Sequence, residues 1–201
     1  DLGLQWRADN ASLRANLFGM QFSRFISLEA TGQAIENVGE DGSVGQVPEY
    51  LFRGVRARLW GLELEGRQRW TRLGWDLDAS TGLDLTRGTN SDTGEALPRI
   101  APMRVRLGLE ASRGGWKMGA DLRHAWSQQY VPSTDASTAG YTLLSLWLSR
   151  AIAWGSAQGT VFAKLDNLTN ELAYSASAIQ TVRDLSPLPG RSFSAGVQVR
   201  F

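Results

Sequence analysis

Two glutamates one residue apart, Glu63 and Glu65, form the first pair in this sequence whose type and spacing could do chemistry. Residues at positions i and i+2 lie on the same face of a β-strand, so their carboxyl groups are neighbours. Paired carboxylates can hydrolyse glycosides, but that reaction needs a substrate cleft, and nothing nearby in the sequence indicates one. The pattern favours hydrated side chains that pair with basic neighbours such as Arg67.

Other signatures of catalysis and of metal or cofactor binding are missing from the sequence. His124 is the single histidine and cysteine is absent, so no cluster has the spacing of a zinc site. No G-x-S-x-G elbow and no G-x-G-x-x-G turn opening a helix occur. We therefore predict a protein that is not an enzyme, with no catalytic residue, no metal site and no bound cofactor. His124 shares its parity with Leu122 and Trp126, which indicates a position beside an aromatic boundary.

Two tyrosines, Tyr130 and Tyr174, lie in polar stretches with few other aromatic residues. A tyrosine combines a flat apolar ring with a hydroxyl group, and this combination suits contact with a small molecule. These two residues are the best single candidates for ligand contact. The alternative interpretation is that both pack within their own loops.

The elements that must position these residues are β-strands. Apolar and polar residues alternate along most of the chain, and no sustained helical stripe is present. Trp75–Thr86 alternates cleanly, and its polar face carries Asp76, Asp78 and Asp84. Three aspartates on one face are costly in a dry core but not in a watery channel. The last strand, Gly190–Phe201, has an apolar face that carries Phe193, Ala195, Val197, Val199 and Phe201.

Composition excludes several classes of partner and structure. The chain has 201 residues and a net charge of +1, which gives no basis for binding nucleic acid. No segment approaches the roughly 18–20 consecutive apolar residues of a membrane-spanning helix. Counts of 22 glycines and 8 tryptophans suit tight turns and a membrane–water boundary.

Short and long connections alternate along the chain. Short turns are expected near Asp9, Arg72, Arg113 and Gly155. Long loops are expected at Glu29–Val47, Arg87–Leu97, Gln129–Ala139 and Asn167–Pro189. Short turns on one side and long loops on the other are typical of outer-membrane β-barrels. The sequence therefore predicts an all-β fold, an antiparallel transmembrane β-barrel segment of about nine strands.

Two details of strand register are less regular. A parity shift near Leu17 and Phe18 predicts a bulge or a change of face. Arg56 and Arg58 share parity with Trp60, so strict alternation would aim both arginines at lipid. Either a bulge between Arg58 and Trp60 or a position above the hydrocarbon layer would remove that conflict. Nine strands is an odd number and the first is short, which favours the C-terminal piece of a larger barrel.

Five sequence blocks and the chain's end resemble the C-terminal barrel half of TonB-dependent outer-membrane receptors. The blocks are Leu59–Gly66 (L-W-G-L-E-L-E-G), Leu97–Pro102, Gly140–Leu144, Leu165–Glu171 (L-D-N-L-T-N-E) and Pro187–Arg191, followed by a terminal V-R-F. The resemblance covers essentially residues 1–201 and implies a 22-stranded barrel with a plugged lumen. The plug domain itself is expected to lie upstream of this chain.

The resemblance also implies a function and partners. It implies uptake of a scarce ligand (a ferric siderophore, a metal chelate or cobalamin) across the bacterial outer membrane, driven by the TonB complex. Outer-membrane lipid, the plug domain and the barrel-assembly machinery are the other expected partners. Glu63 and Glu65 are then expected to face the lumen and contact the plug or a cationic ligand. The assembly machinery is expected to read Phe193, Val197, Val199 and Phe201.

Two alternatives belong to other classes. The first is a small self-contained outer-membrane barrel of eight or ten strands with a structural or pore-forming role. The second is a soluble β-rich binding protein, in which the odd-parity face packs into a core and the face of Asp76, Asp78 and Asp84 is solvated.

Overall fold

A computed structural model describes residues 1–155 and 157–200 as one nine-stranded antiparallel sheet in which each strand pairs with the next along the chain. The expected all-β fold is confirmed. The strands are β1 Leu2–Arg7, β2 Ala11–Val38, β3 Val44–Arg72, β4 Trp75–Asn90, β5 Arg104–Arg113, β6 Trp116–Ala125, β7 Tyr141–Trp154, β8 Ala157–Asp166 and β9 Ser192–Arg200. One short helix, α1, spans Gln180–Arg183.

The register of the ladder collects the apolar parity of every strand on one face. Leu64 of β3, for example, lies opposite Ala15 of β2 and Leu83 of β4. The row continues through Val105 and His124 to Thr142 of β7, and the same face passes on to β8 where Leu146 lies opposite Leu165. We call this the outer face and the opposite one the inner face. A sheet with one apolar and one polar face separates two different environments.

Tryptophans mark both borders of the outer face. Trp60 and Trp70 lie at the two ends of the apolar stretch of β3. Trp116 begins β6, and Trp126 directly follows its last residue, so these two border the apolar stretch of β6. Ten residues of a strand tilted by about 40° rise through roughly 25 Å, the height of the apolar band of membrane barrels. The borders therefore match the thickness of a bilayer core.

Tight turns close one end of the sheet. Leu73 and Gly74 both have positive φ angles, 53° and 76°, and so do Gly114 and Gly115, at 57° and 81°. Two consecutive positive φ angles match the twist of a two-residue hairpin. Residues 8–10 form the third short connection, between β1 and β2. The expected turns near Asp9, Arg72 and Arg113 are confirmed.

The distal part of the β2–β3 hairpin corrects one prediction. The stretch Glu29–Val47 was expected to be a long loop, but β2 continues to Val38 and β3 begins at Val44. The pairing of β3 with β4 starts at Ala57. The part of the hairpin on the far side of Ala57, residues 23–56, pairs only within itself and forms a two-stranded projection that we call the arm. Because neither side of this ribbon belongs to the apolar face of the sheet, its sequence needs no apolar alternation, and polar residues there do not indicate a loop.

The predicted bulge near Leu17 and Phe18 is wrong. Both residues pair in unbroken register with Leu62 and Gly61. The register shifts instead between Phe22 and Phe25, and again between Ala30 and Ala34, where β2 enters and follows the arm. A bulge increases local twist, so these two shifts set the direction in which the arm leaves the sheet.

Three long loops lie beside the arm, at residues 91–103, 126–140 and 167–191. β5 begins at Arg104 rather than Pro98, since Pro98 and Pro102 cannot donate to a ladder. We call the arm and these loops the crown, and the nine paired strands below them the wall. The buried apolar residues of the described chain are Ala57, where β3 starts to pair with β4, Ala125 at the end of β6, Ala96 and Leu97 in the loop 91–103, and Ala173 and Ala176 in the loop 167–191. Among the described residues, no helix is long and apolar enough to cross a membrane.

Candidate functional site

Glu63 and Glu65 project from the middle of β3 on the inner face. Arg14 Nη1 donates to Glu65 Oε2 at 3.4 Å, and Asn16 Nδ2 donates to Glu63 Oε2 at the same distance. The side chains of Arg14 and Glu65 stay 61% and 69% exposed, so this pair is solvated and contributes little stability. Both carboxylates are therefore available to a further partner on the inner side.

Lower on the inner face, an arginine pair neutralises one aspartate. Arg67 donates from Nε and Nη2 to the carboxylate of Asp78, and Arg69 Nε donates to the same group at 3.0 Å. One strand further, Arg104 pairs with Asp84 through Nε at 2.8 Å. Asp78 and Asp84 of β4 are thus matched by arginines on β3 and β5, whereas Asp76 accepts a hydrogen bond from the Thr71 hydroxyl, so the surface is charged but nearly balanced.

Curvature of the sheet creates an open cavity on the inner face, between β1 and β7, with a volume of about 540 Å³. Its lining includes Arg14, Glu65, Arg67, Asp78 and Arg106. Trp147 reaches in from β7 and lies over Gly119 of β6, a position that any larger residue would compete for. The lining is polar and open, which suits contact with another polar protein surface rather than enclosure of a small apolar molecule.

A second cavity, of about 850 Å³, lies in the crown between the arm and the loops 126–140 and 167–191. Its lining is mostly neutral and able to form hydrogen bonds, and it comprises chiefly Gln33, Gln46, Tyr50, Thr134, Ser137, Thr138, Tyr174, Gln180 and Thr181. Thr138 Oγ1 is buried there without a partner. Amide and hydroxyl groups with two tyrosines can recognise a polar ligand of moderate size.

A buried ion pair lies beside the crown cavity, and its arginine, Arg183, contributes to the lining. Arg183 Nη2 donates to Asp135 Oδ2 at 3.0 Å, and the two side chains are only 5% and 8% exposed. Arg183 Nη1 also donates to the carbonyl oxygen of Ala136 at 2.9 Å. The pair joins the loops 126–140 and 167–191, which are far apart in sequence. Because a buried charge needs its partner, these two loops are expected to move together.

Tyr50 connects the arm to both loops. Its hydroxyl lies 3.1 Å from Oε1 of Gln180 and 3.4 Å from the carbonyl oxygen of Thr134. Sequence reasoning missed Tyr50, Asp135 and Arg183, because their partners lie 48 to 130 residues away in the chain. The sequence signal was weak, because Arg183 is directly followed by Asp184, a local charge partner that does not point to Asp135.

The two tyrosines predicted to contact ligand occupy different places. Tyr174 lines the crown cavity and pairs by one bridge with Pro187. Tyr130 lies against the outer face of β4, where its hydroxyl is 2.8 Å from Thr89 Oγ1 and the Arg87 guanidinium stacks 4.0 Å above its ring. Both the hydroxyl and the ring of Tyr130 thus contact other residues of the protein. Ligand contact stays a prediction for both residues.

Asn167, from the D-N-L-T-N-E block, joins the two ends of the last loop. Its amide donates to the carbonyl oxygens of Glu171 and Pro189 at 2.9 and 3.1 Å, and its oxygen accepts from the backbone N–H of Glu171. The residue is buried and has a φ of 47°, a conformation that asparagine tolerates better than most residues. Asn167 thus gives the block a fixed structure at the point where β8 enters its loop.

Arg56 and Arg58 do face outward, and their position resolves the conflict. Residues 57–60 keep unbroken register with both neighbouring strands, so the bulge between Arg58 and Trp60 is wrong. Both arginines lie above Trp60, and Arg56 Nε pairs with Asp92 Oδ1 at 2.6 Å. Hydrogen bonds from the Arg56 backbone N–H and side chain lower the pKa of Asp92 below its usual 3.8.

His124 and the last strand lie on the outer face as their parity predicts. His124 Nδ1 is 2.8 Å from Thr142 Oγ1, and its ring meets Trp126 edge to face at 4.5 Å between centroids. Phe193, Val197 and Val199 are 67%, 59% and 40% exposed on that face. Phe201 lies outside the described residues. Recognition of these four residues by the assembly machinery stays a prediction.

The described part of the chain holds no group of three or more His, Cys, Asp or Glu residues placed to bind a metal ion. The site therefore has two parts. One is a charged inner wall that presents Glu63 and Glu65, and the other is a mostly neutral crown cavity lined in part by Arg183, which pairs with Asp135.

Comparison with known proteins gives matches at the levels of family, sequence and fold. Residues 1–168 match the family described as TonB dependent receptor-like, beta-barrel. Heme/hemopexin utilization protein C of Haemophilus influenzae (strain 86-028NP) is 25% identical over 134 residues, which are 66% of this chain and 18% of that protein. The structure of the copper transporter OprC aligns with a TM-score of 0.74 and 25% identity, covering 97% of this chain and 29% of that one. The chain thus spans less than a third of either protein.

Proposed function

This chain belongs to the family of TonB-dependent receptor-like β-barrels, and we propose that it is the C-terminal part of a receptor for uptake of a scarce ligand. The proposed place is the outer membrane of a Gram-negative bacterium. The proposed energy source is the TonB complex, acting through a part of the receptor outside these residues. The proposed role of this chain is to form part of the barrel and to help bind the ligand, without catalysis.

The single observation that carries the proposal is the division of the sheet into two faces. The outer face is apolar across all nine strands and has tryptophans at both borders. The inner face carries matched charges. Lipid on one side and a hydrated lumen on the other stabilise such a sheet, whereas water on both sides would leave the apolar face unburied.

Strand direction supports a larger barrel. In a sheet where consecutive strands alternate in direction, β1 and β9 run the same way. Closing these two edges into an antiparallel barrel requires an odd number of further strands, and a 22-stranded barrel supplies thirteen. The same point disfavours the alternative of a small self-contained barrel, because β1 and β9 would have to pair in parallel.

The inner wall is proposed to hold the plug domain. Its cavity is open and lined mostly by polar or charged residues, Glu65 among them, and Glu63 is exposed two residues away on the same face. A plug surface with basic side chains opposite these glutamates would complete pairs that Arg14 and Asn16 make only at 3.4 Å. Such exposed pairs are weak one by one, which suits a plug that must move during transport.

The ligand is proposed to be a metal bound within a small organic chelate, with a ferric siderophore, heme or cobalamin as examples. The names of two similar proteins include heme and copper. This chain has one histidine, no cysteine and three methionines. Its crown cavity offers amide, hydroxyl and tyrosine groups instead. Such groups recognise the organic periphery of a chelate that brings its own metal ligands.

An uptake experiment tests the proposal. A strain in which the gene for this receptor is deleted is compared with its parent for uptake of ⁵⁵Fe-siderophores, heme and ⁵⁷Co-cobalamin, each with and without an intact TonB gene. We expect the deletion to abolish uptake of one of these ligands, and loss of TonB to abolish the same uptake. Uptake of all of them unchanged by the deletion would contradict the proposal.

A further inference from the structure

Two polar atoms beside the crown cavity are buried without a hydrogen-bonding partner in the described part of the chain, Nε of Arg183 and Oγ1 of Thr138. Both residues contribute to the lining of the cavity, and they are only 4% and 7% exposed. Buried polar groups in folded proteins are almost always paired, because an unpaired group loses its bonds to water without replacing them. Arg183 Nε carries a hydrogen and can only donate. The lining therefore has a donor for which the described residues supply no acceptor.

Gln180 places a second donor at the same cavity. Its Oε1 accepts the hydroxyl hydrogen of Tyr50 at 3.1 Å, so its amide nitrogen is turned the other way. That nitrogen bonds no described residue, and it keeps both of its hydrogens for another acceptor. Gln180 and Tyr50 both line the cavity. A ligand that fits here is therefore expected to carry acceptor oxygen atoms.

The surroundings of the cavity carry net negative charge. Residues 25–52 of the arm include five acidic side chains and no lysine, arginine or histidine. The loops 126–140 and 167–191 add three acidic side chains and two arginines. Arg183 is neutralised by Asp135, whereas Asp184 is exposed in the lining and makes no ion pair with a described residue. A negative potential lowers the local concentration of anions, so an anionic ligand is disfavoured before it reaches the cavity.

Unpaired donors and negative surroundings together divide metal chelates by their charge and their outer groups. Three hydroxamates neutralise the charge of Fe³⁺, and the amide groups that link them present carbonyl oxygens. Cobalamin likewise carries amide groups around its ring in place of carboxylates. Catecholates and citrate leave their ferric complexes anionic, and heme carries two propionate carboxylates. The hydroxamate complex and cobalamin offer acceptor oxygens without a negative charge that the arm repels.

We propose that the crown cavity binds an uncharged chelate with outward amide carbonyl groups, a ferric trishydroxamate or cobalamin, and excludes anionic chelates. The carbonyl oxygens accept hydrogen bonds from Arg183 Nε, the Thr138 hydroxyl and the Gln180 amide, after small rotations of the first two side chains. A volume of about 850 Å³ is in the range of pockets for organic ligands. This inference rests on the proposed function and narrows its ligand.

Binding of labelled chelates to the receptor purified from its own membrane in detergent tests the selectivity. The uncharged probes are a ⁵⁵Fe-trishydroxamate and ⁵⁷Co-cobalamin, and the anionic probes are a ⁵⁵Fe-triscatecholate, ⁵⁵Fe-citrate and heme. We expect one of the uncharged probes to bind at least about tenfold more tightly than any anionic probe. Asp184→Asn removes a negative charge from the lining and is expected to strengthen binding of ⁵⁵Fe-citrate about threefold at low ionic strength.

A pair of hydroxyl deletions tests the contact itself. Thr138→Val removes the unpaired hydroxyl at the cavity and keeps the shape of the side chain. Ser27→Ala is the matched control, because Ser27 Oγ is also buried without a described partner but lies outside the lining. Neither change leaves a partner unsatisfied, so both variants are expected to fold as the wild type does. Thr138→Val is expected to weaken binding of the uncharged probe about fivefold, and Ser27→Ala is expected to leave it unchanged.

The outcomes separate this inference from the proposed function. Tightest binding of an anionic probe, or equal effects of Thr138→Val and Ser27→Ala on binding of the uncharged probe, would overturn the inference and leave the proposed function standing. Binding of none of the probes would overturn both.

Discussion

The wall and the crown of this protein are stabilised by different interactions. In the wall, backbone hydrogen bonds run from strand to strand, and the side chains on the outer face stay exposed, with Leu107 and Leu109 each 48% exposed. In the crown, buried residues such as Leu97 and Arg183 pack between loops. The wall is completed by lipid, whereas the crown buries its own core and holds it with a charged pair.

This difference separates scaffold from recognition. A wall that depends on the membrane tolerates many residues on each face as long as polarity is kept. A crown that depends on particular partners, such as Arg183 with Asp135 and Tyr50 with Gln180, is specific but sensitive to single changes. Binding sites on loops held by a rigid scaffold are the usual arrangement in proteins.

The largest expected effect concerns the buried pair in the crown. Arg183→Met leaves Asp135 buried and unpaired, which is expected to destabilise the packing of the two loops by about 3–5 kcal/mol. Hydrogen exchange of residues 126–140 and 167–191 measures this as faster exchange, with the strands of the wall unchanged.

The double variant Arg183→Met/Asp135→Leu is the matched control. It removes both charges, so exchange in the two loops is expected to return most of the way to the wild-type rate. If Arg183→Met alone leaves exchange in both loops unchanged, the pair does not hold the crown together.

A slightly smaller effect is expected in the wall, from a charge placed on the lipid side. Leu83→Arg, near the middle of β4, is expected to lower the free energy of unfolding in lipid by about 2–4 kcal/mol. Gly82→Arg lies one residue away on the inner face, where an added Cβ meets only the Leu64 carbonyl oxygen at 3.9 Å and water can hydrate the charge. Urea unfolding in vesicles compares the two variants, and equal losses would contradict the division into two faces.

The smallest effect concerns the junction of wall and crown, where Arg56 pairs with Asp92. Because the folded state lowers the pKa of Asp92 below 3.8, the pair contributes stability above that pH and loses it as pH falls through the lower, folded pKa. The melting temperature of wild type minus that of Asp92→Asn is expected to be small and constant above about pH 5, and to vanish in acid. If this difference in melting temperature grows as the pH falls below 3.8, the ionised form of Asp92 does not stabilise the folded state.

The wall could be predicted from the sequence and most of the crown could not. Alternation over Trp75–Thr86 predicts the observed start of β4 and ends four residues before its observed end at Asn90. It does so because lipid and water impose period 2 on every strand between them. Above the membrane that constraint ends, so the polar composition of Glu29–Val47 predicts a loop where a paired arm exists. Arg183 and Asp135 meet through tertiary packing, which no local pattern encodes.

The central claim is that the outer face meets lipid and the inner face meets water. The chain contains no cysteine, so single cysteines along β4 can each carry a nitroxide label in the receptor reconstituted into vesicles. Accessibility to oxygen, which favours lipid, and to a water-soluble nickel complex is measured at every position from Asp76 to Leu85. The account predicts opposite period-2 profiles, with oxygen favoured at Leu77, Leu83 and Leu85 and nickel at Asp76, Asp78 and Asp84. Access of the nickel complex to both sets of positions would contradict it.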